Sequence, residues 1–515
     1  MTDTTEPLRA SEPPIWTTRT FIAGATLALL VFLGDVLFWY HSPGVSVLVF
    51  FIALIAAILA LHPAKLGETR TVVLMLVALL GALPFFETLS PWAFLTAQGG
   101  VTLLAIGISG NLPKFEDWAG AFTRFGILTP LRLVGDAFRL LIEGGQQRIG
   151  GKLLRTAMVW LVPLAFAAIF VWLFAAANPV VEYALRAIRL DKLLEFLEPP
   201  RIILWGLIAI FAWPFLAPRL LNWTPLPQMQ GPVLPRAESI LFGSRAIFNS
   251  LALFNALFAV QTVLDLIYLW GGVRLPDGVS HAEYAHRGAY PLIVTAILAG
   301  AFVLAAMRKN GPGRASPLIR NLVYLWIAQN VWLVISSVLR LKLYVEIYTL
   351  SEMRIAAFIW MGLVAVGLIL IVIKIALDRS NKWLVMSNMA ALSVTLWAVS
   401  WIDLQSFIAF YNVRHSREVA GEGVALDQYY TYELGPAAIP ALDEFLAKGN
   451  FSADPSVETT FSLIREELAD RIIYRRDGDI HRFALDWRGW TWRNDRLEQY
   501  LIDHPFAPDI ARAID

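Results

Sequence analysis

Residues 44–62 read GVSVLVFFIALIAAILALH and contain no Asp, Glu, Lys or Arg. A helix rises about 1.5 Å per residue, so this stretch is long enough to cross a bilayer core of about 30 Å. Ten further stretches of the chain are comparably apolar. The eleven predicted spans are 20–40, 44–62, 71–87, 91–108, 155–177, 201–219, 240–271, 289–307, 318–339, 355–376 and 383–403. The pattern predicts an all-α fold, a polytopic transmembrane helical bundle of 11 spans.

Two of these spans depart from the ordinary pattern. The fourth is the weakest, because Gln98-Gly99-Gly100 dilutes its hydropathy. The seventh, 240–271, is 32 residues long, which as a straight helix exceeds the thickness of the hydrocarbon core. We therefore expect the seventh span to tilt, kink or protrude.

The composition separates a membrane part from a polar tail. Apolar residues make up 57% of the 515 residues, and only 16% are charged, against about 25% in soluble domains. From Asn412 onward there are 12 Lys and Arg and 19 Asp and Glu, a net charge of −7, whereas the remainder has 30 and 22, a net charge of +8. Residues 412–515 are therefore predicted to form a small, mostly helical, acidic extramembrane domain. The chain has no Cys, which excludes disulfides and Cys-based zinc sites.

Five segments follow from these boundaries. They are a polar N-terminal segment (1–19), a first four-span group (20–108), a basic amphipathic cytoplasmic segment (109–154), a seven-span membrane domain (155–411) and the acidic tail (412–515). With the N-terminus in the cytoplasm, the cytoplasmic segments hold 21 Lys and Arg and the outside loops hold 9. This asymmetry predicts a cytoplasmic N-terminus, and eleven crossings then place the tail outside.

Polar side chains inside spans are candidate functional residues, because they are costly in hydrocarbon. The seventh and ninth spans contribute the intramembrane candidates Asn249, Asn255, Gln261, Asp265, Gln329 and Asn330. Arg245 and Asp265 lie 20 residues apart, so a straight helix puts them near opposite interfaces and leaves Asn255 closer to the midplane. Asn330 lies near the centre of the ninth span. Amides at this depth also act as hydrogen-bonding glue between helices, and that interpretation stays open.

The loop after the seventh span carries a second set of polar residues. These are His281, Glu283, Tyr284, His286, Arg287 and Gly288. Their His-x-Glu-x-x-His spacing differs from the His-Glu-x-x-His of metalloproteases, so no metal ligands are predicted here. The sequence also lacks a P-loop and a Gly-x-Ser-x-Gly elbow. We predict no cofactor and no nucleic-acid partner, and an enzymatic activity has little support.

The same region resembles a bacterial family of multi-span membrane proteins classed as a domain of unknown function. The resemblance rests on Ser244 to Asn249, on Asp265 with Tyr268-Leu269-Trp270, and on the Tyr-Ala-x-Arg-Gly segment Tyr284 to Gly288. It covers 200–410, and a Leu-Gly-x-x-Ala-x-Pro-Ala-Leu pattern continues it from Leu434 to Leu442. The resemblance implies a bacterial integral membrane protein, and it implies no activity. Together with the charge asymmetry, it predicts a multi-pass protein of the inner membrane with a periplasmic tail.

Three functional hypotheses are compatible with these residues. The first is a secondary transporter or channel-like protein that moves a small solute through the bilayer. The second is an envelope sensor or assembly factor whose spans anchor a tail that binds an envelope protein. The third is a membrane enzyme that uses the loop residues His281, Glu283, His286 and Arg287 on a lipid or envelope precursor.

Overall fold

The computed structural model describes residues 18–109, 114–118, 198–217, 244–270, 316–477 and 486–504, with isolated residues between 121 and 167. Within these ranges the chain is helical and contains no β-strand. The all-α prediction is therefore confirmed. The chain divides into two compact units, which are described separately.

The first unit contains five long helices. They are α1 (Thr18–Phe38), α2 (Val45–Ala60), α3 (Thr69–Ala82, extended by a 3₁₀ turn Leu83–Phe86), α4 (Pro91–Ser109) and α5 (Pro199–Leu216). The short segment Asp486–Trp490 of the tail also belongs to this unit. There the backbone N–H of Val45 donates to the carbonyl of Trp490 at 2.8 Å, and His41 Nε2 lies 3.0 Å from an Asp486 carboxylate oxygen. The tail segment thus contacts the connection between α1 and α2.

Helix α4 corresponds to the weakest predicted span, and the packing of one of its glycines explains its lower hydropathy. A Cβ on Gly100 would lie 2.9 Å from the Cα of Ala78 in α3, whereas a Cβ on Gly99 would meet nothing within 4 Å. Thr96 Oγ1 also donates to the carbonyl of Gly81 across the same contact at 3.0 Å. Small residues let two helix backbones approach closely. Gly100 lowers the hydropathy of α4 because it serves this contact.

Among the described residues, the second unit contains four apolar helices and most of the tail. The apolar helices are α6 (Ser244–Asp265, followed by a π-helical turn Leu266–Trp270), α7 (Pro317–Tyr348), α8 (Glu352–Ala376) and α9 (Asn381–Val399). Across the described residues of both units, seven helices are long and apolar enough to cross a membrane, and Ile22–Phe38 and Val45–Ala60 are shorter apolar helices. Nine predicted spans therefore coincide with helices. The other two, 155–177 and 289–307, lie outside the described residues, as does most of the basic segment 109–154.

Both the seventh and the ninth spans are longer than a bilayer core requires, since α6 and its π-helical turn together run over 27 residues. Helix α7 has 32 residues, about 48 Å of helix against a core of about 30 Å. The prediction that this span ends at 339, with Arg340 and Lys342 in a loop, was wrong. The helix continues because Val345 is buried in the hydrophobic core of the tail.

Helices α6 and α7 pack side by side and run in the same direction. Phe254 and Phe258 of α6 contact the ring of Trp326, and further along both helices Asp265 pairs with Arg340. A parallel pair of spans needs an intervening crossing, and the predicted span 289–307 lies in that interval, outside the described residues.

The outer face of α6 is apolar, as expected for a helix in lipid. Its exposed large side chains recur at spacings of four and three: Leu253, Leu257, Val260 and Leu264. Its buried face, in contrast, includes Asn255 and Asp265. Apolar side chains on the outside with polar ones inside are the arrangement of a membrane helix, and the chain is accordingly an integral membrane protein.

The tail is helical and its core is continuous with the end of α7. It comprises α10 (Leu404–Arg414), α11 (Arg417–Ala420), α12 (Gln428–Glu433), α13 (Ile439–Lys448), α14 (Pro455–Asp477) and α15 (Trp492–Asp503). The core forms around Ile439, Ala441, Leu442 and Phe445 of α13, all fully buried. Trp487 and Trp492 lie outside this core and are 52% and 42% exposed.

Polar contacts also attach the tail to the connection between α7 and α8. Asn412 of α10 accepts a hydrogen bond from the Leu350 backbone N–H at 2.7 Å and donates to the Leu350 carbonyl at 2.9 Å. Leu350 itself belongs to the tail core. Helix α10 passes through the predicted boundary at residue 412. The tail and the membrane helices α7 and α8 therefore share one hydrophobic core.

Candidate intramembrane site

The contact between α6 and α7 is lined by two stripes of buried residues. On α7 the stripe alternates between steps of four and three residues: Ile319, Val323, Trp326, Asn330, Leu333, Ser337 and Arg340. On α6 the facing positions are the buried Ile247, Leu251, Asn255 and Asp265 and the partly buried Phe258 and Thr262. This spacing is that of a coiled-coil seam. The first half of the seam is apolar, and the second half, from Asn255 and Asn330 onward, carries most of its polar residues.

Asn255 bridges the two helices through its amide nitrogen. The Nδ2 group donates to the carbonyl of Leu251 at 2.8 Å and to the carbonyl of Leu322 on α7 at 3.1 Å. The side chain is 6% exposed. Both partners are carbonyl oxygens, which can only accept a hydrogen bond. Rotating the amide by 180° would place its own oxygen next to these two carbonyl oxygens, so the hydrogen bonds determine the orientation of the amide.

Gln329 and Asn330 extend the polar contact along α7. Gln329 Nε2 donates to the backbone carbonyl of Asn255 at 3.2 Å, and Asn330 Nδ2 donates to the carbonyl of Trp326 at 2.7 Å. Asn330 is 2% exposed and Gln329 is partly buried. The structure thus brings together Asn255 and Gln329, with Asn330 adjacent, although they were predicted on separate spans.

The amide oxygens of this group have no hydrogen-bond donor among the described residues. The unpartnered atoms are Asn255 Oδ1, Gln329 Oε1 and Asn330 Oδ1, and the hydroxyl of Ser336, one to two turns further along α7, is also unpartnered. A buried polar atom without a partner costs about 1–3 kcal/mol. Three of these four atoms belong to α7, where Gln329 and Ser336 are seven residues apart, a rise of about 10 Å.

An ion pair follows the unpartnered atoms along the seam. Arg340 Nη2 donates to Asp265 Oδ1, which also accepts from Gln261 Nε2 at 2.9 Å. The side chains of Asp265 and Arg340 are 0% and 6% exposed. The π-helical turn Leu266–Trp270 begins directly after Asp265, and such turns are frequent at functional sites. Asp265 is therefore enclosed by protein, and its predicted depth near an interface stays a prediction.

Arg340 is the site residue that the sequence reasoning missed. It was assigned to a loop because the apolar run weakens after 339. The signal was present in the spacing, since Arg340 follows Asn330 by ten residues and Ser337 by three, which keeps all three on one helical face.

The remaining predicted site residues fall outside this group. Asn249 is exposed, as is Arg245 one turn before it. The loop motif His281, Glu283, Tyr284, His286, Arg287 and Gly288 lies outside the described residues. Lys374 of α8 also lies outside this group, and its side chain is buried.

Comparison with known proteins assigns the family. Residues 25–445 match the family model of a domain of unknown function, DUF4153. The chain belongs to this family. No curated protein and no solved structure matches the chain.

The DUF4153 match is wider than the resemblance that the sequence motifs gave. It begins in α1 and ends at Phe445 in α13, whereas the motifs covered 200–410 and a pattern ending at Leu442. The family domain therefore includes α13, whose apolar face forms the tail core together with Val345 of α7. In this family member the first tail helices are part of the same domain as the spans.

A second polar contact lies within the DUF4153 match, in the first unit. Arg201 of α5 donates to both carboxylate oxygens of Asp35 in α1, at 2.7 and 2.6 Å. Trp205 Nε1 donates to the same carboxylate at 2.8 Å. Bidentate pairs of this kind fix geometry. All three groups are satisfied, and this contact reads as a structural link between α1 and α5.

Proposed function

We propose that this integral membrane protein is a secondary transporter or channel-like protein that moves a small polar solute along the α6–α7 seam. The single observation that supports the proposal is the group of buried, unpartnered oxygens on Asn255, Gln329 and Asn330. Two of these side chains, Asn255 and Asn330, are more than nine-tenths buried. Polar side chains inside membrane helices are costly, and they commonly line the path of a substrate or an ion.

Helix packing explains the hydrogen bonds of the amide nitrogens, but it does not explain why the amide oxygens are buried without a partner. Hydrogen bonds between membrane helices contribute about 0.6–2 kcal/mol, and the NH₂ groups of Asn255 and Gln329 make such bonds across the seam. The NH₂ group of Asn330 donates within α7, to the carbonyl of Trp326. The oxygens gain nothing from that arrangement. A Leu or Met would fill the same space without leaving an acceptor unpaired. A solute that enters the seam would supply the missing donors.

The ion pair gives the proposed path a closed end. From Asn255 to Asp265 the seam rises about 15 Å, half of a bilayer core. Arg340 and Asp265 then fill the seam with two paired, buried charges. In this proposal the pair is the barrier that separates the polar group from that side of the membrane, and transport requires it to open.

Solute flux into proteoliposomes tests the proposal. The assay is stopped-flow osmotic swelling with a panel of small neutral and charged solutes, which does not depend on knowing the substrate. The protein should raise permeability to at least one solute, and the double variant Asn255→Leu, Asn330→Leu should abolish the increase. The matched control is Asn388→Leu, because Asn388 of α9 makes the same bond to the carbonyl four residues earlier, at 2.8 Å, outside the seam. Equal flux for the double variant and the wild type would refute the site.

A second candidate function rests on exposed aromatic side chains of the tail. Tyr429 is 77% exposed and Trp492 is 42% exposed, and exposed aromatic residues are enriched in protein interfaces. On this alternative the protein is an envelope sensor or assembly factor in the bacterial inner membrane, its N-terminus is cytoplasmic, and its periplasmic tail binds an envelope protein. Cross-linking in intact cells should capture a partner that a Tyr429→Ala, Trp492→Ala variant loses. Labelling of a tag after residue 504 should occur from the periplasm, and labelling only from the cytoplasm would overturn the orientation.

A further inference from the structure

We infer that the ligand of the α6–α7 seam is a monovalent cation held by the oxygens of Asn255, Gln329 and Asn330. The inference rests on the same site as the proposed transport function and adds its substrate class. It follows from which atoms are free, from which charges are paired, and from the walls around them.

The free atoms of the three amides are acceptors. Each of the three amide NH₂ groups donates to a backbone carbonyl, so no amide donor is left for a ligand. The unpartnered amide atoms are the three oxygens, and the Ser336 hydroxyl lies near them along α7. Carbonyl oxygens carry partial negative charge and replace the hydration shell of cations. An anion placed against these amides would meet oxygens of its own sign.

The charge of the site favours a monovalent over a divalent cation. The seam's one carboxylate among the described residues, Asp265, is paired with Arg340 and lies about 15 Å along α6 from Asn255. Ca²⁺ and Mg²⁺ sites rely on carboxylates, whereas neutral carbonyl oxygens suffice for K⁺ in channel filters. A set of neutral oxygens therefore fits an alkali or ammonium ion.

The neighbouring wall is aromatic. Trp326, one turn before Asn330, packs on Phe254 and Phe258 with ring centroids 5.3 and 5.9 Å apart. Ion–dipole attraction strengthens as the local dielectric constant falls. The apolar half of the seam thus closes the site on one side and makes the few oxygens more effective.

Thermal unfolding of the purified protein tests this inference without any transport measurement. The melting temperature is recorded in detergent against increasing NaCl, KCl, RbCl or NH₄Cl, with choline chloride keeping the ionic strength constant. A ligand that binds only the folded state raises the melting temperature in a saturable way. We expect saturable stabilisation by at least one of the four small cations. CaCl₂ and MgCl₂ at matched ionic strength should give no such response.

Single substitutions then locate the effect. Gln329→Leu and Asn330→Leu should each weaken the apparent affinity about 10- to 100-fold, the loss expected for one charge-assisted contact. Asn388→Leu should leave it unchanged. Asn330→Asp keeps acceptor oxygens at this position and adds a negative charge, at the cost of the bond to the Trp326 carbonyl, so the cation response should become stronger and divalent ions should begin to stabilise.

The outcomes separate this inference from the proposed function. If no small cation stabilises beyond choline, or if the Leu variants respond like the wild type, the cation assignment is wrong, while flux of a neutral solute in proteoliposomes would keep the transport proposal. If cations bind at the seam and no solute crosses, the transport proposal fails and the site remains. A variant that does not fold is replaced by Asn330→Asp, whose expected response has the opposite sign.

Discussion

Neutralising Asp265 should destabilise the second unit more than any surface charge change. In the Asp265→Asn variant the Arg340 guanidinium keeps its buried position, with a side chain 6% exposed, and loses its counter-charge. Gln261 also loses a carboxylate acceptor at 2.9 Å. Leaving one member of a buried pair uncompensated costs about 3–5 kcal/mol. We expect a loss of this size in the free energy of unfolding.

The double variant shows whether the loss of stability comes from an unpaired buried charge or from a packing defect in the core. Asp265→Asn combined with Arg340→Gln removes both charges and leaves two neutral amides that can hydrogen-bond to each other. Since the cost comes from the orphaned charge, the double variant should recover about 2 kcal/mol or more relative to the sum of the single losses. The two single variants should therefore be strongly non-additive.

A second pair on the same helix provides the control. Lys342 and Glu346 of α7 lie 3.8 Å apart, and their side chains are 68% and 50% exposed. Exposed pairs four residues apart contribute about 0.3–0.5 kcal/mol. Glu346→Gln should therefore change stability by less than about 0.5 kcal/mol.

The assay is reversible unfolding in mixed detergent micelles, followed by circular dichroism for the wild type, the two single variants, the double variant and Glu346→Gln. An Asp265→Asn loss no larger than that of Glu346→Gln would show that Asp265 and Arg340 are not a buried pair in the native protein. Additive single losses would show that the two side chains do not interact. Either result would also remove the closed end of the proposed path.

Two further perturbations test other contacts. Gly100→Ala should destabilise the α3–α4 contact by about 1–3 kcal/mol, because its Cβ would meet the Ala78 backbone at 2.9 Å. Gly99→Ala is the control, since a Cβ there has open space. Thermal unfolding compares the two variants, and equal losses of stability would contradict the contact. In the tail, burial and then the hydrogen bond to Asp443 raise the pKa of Tyr500 from 10.0 to about 12. The stability this group contributes is complete below pH 10.0 and lost as the pH rises through about 12; Tyr500→Phe should flatten that part of the stability profile, and an unchanged profile would contradict the assignment.

The sequence predicted the spans well because apolar length is a local property. Each span is decided by about 20 consecutive residues, and neither a partner nor a contact needs to be known. The same locality explains the error at Arg340. Whether a charged residue ends a span or is buried within the protein depends on a partner, and Asp265 lies 75 residues earlier in the chain. Hydropathy along the chain carries no information about that pairing.

The polar candidates show the same limit at a finer scale. Depth along a helix identified Asn255 and Asn330, because depth follows from counting residues. The angular position of a residue around the helix axis also follows from the sequence, and it places Asn330, Ser337 and Arg340 on one face. The sequence did not indicate which face of α6 meets α7, and only that contact distinguishes Asn255, at the seam, from Asn249, which is exposed. The role of these residues as a site stays a prediction.

Helix α7 joins the two functional regions that were proposed separately. Arg340, which closes the polar half of the seam, precedes Val345 by five residues, and Val345 is part of the tail core. The separation is about 7.5 Å along one unbroken helix. A continuous helix moves as a unit over such a distance, so a shift of the tail at Val345 displaces the Arg340 side chain relative to Asp265 on α6. Buried ion pairs tolerate little displacement, because their attraction must offset the cost of desolvation. A partner that binds the tail would therefore act on the ion pair through α7, and the transporter and sensor hypotheses need not be alternatives.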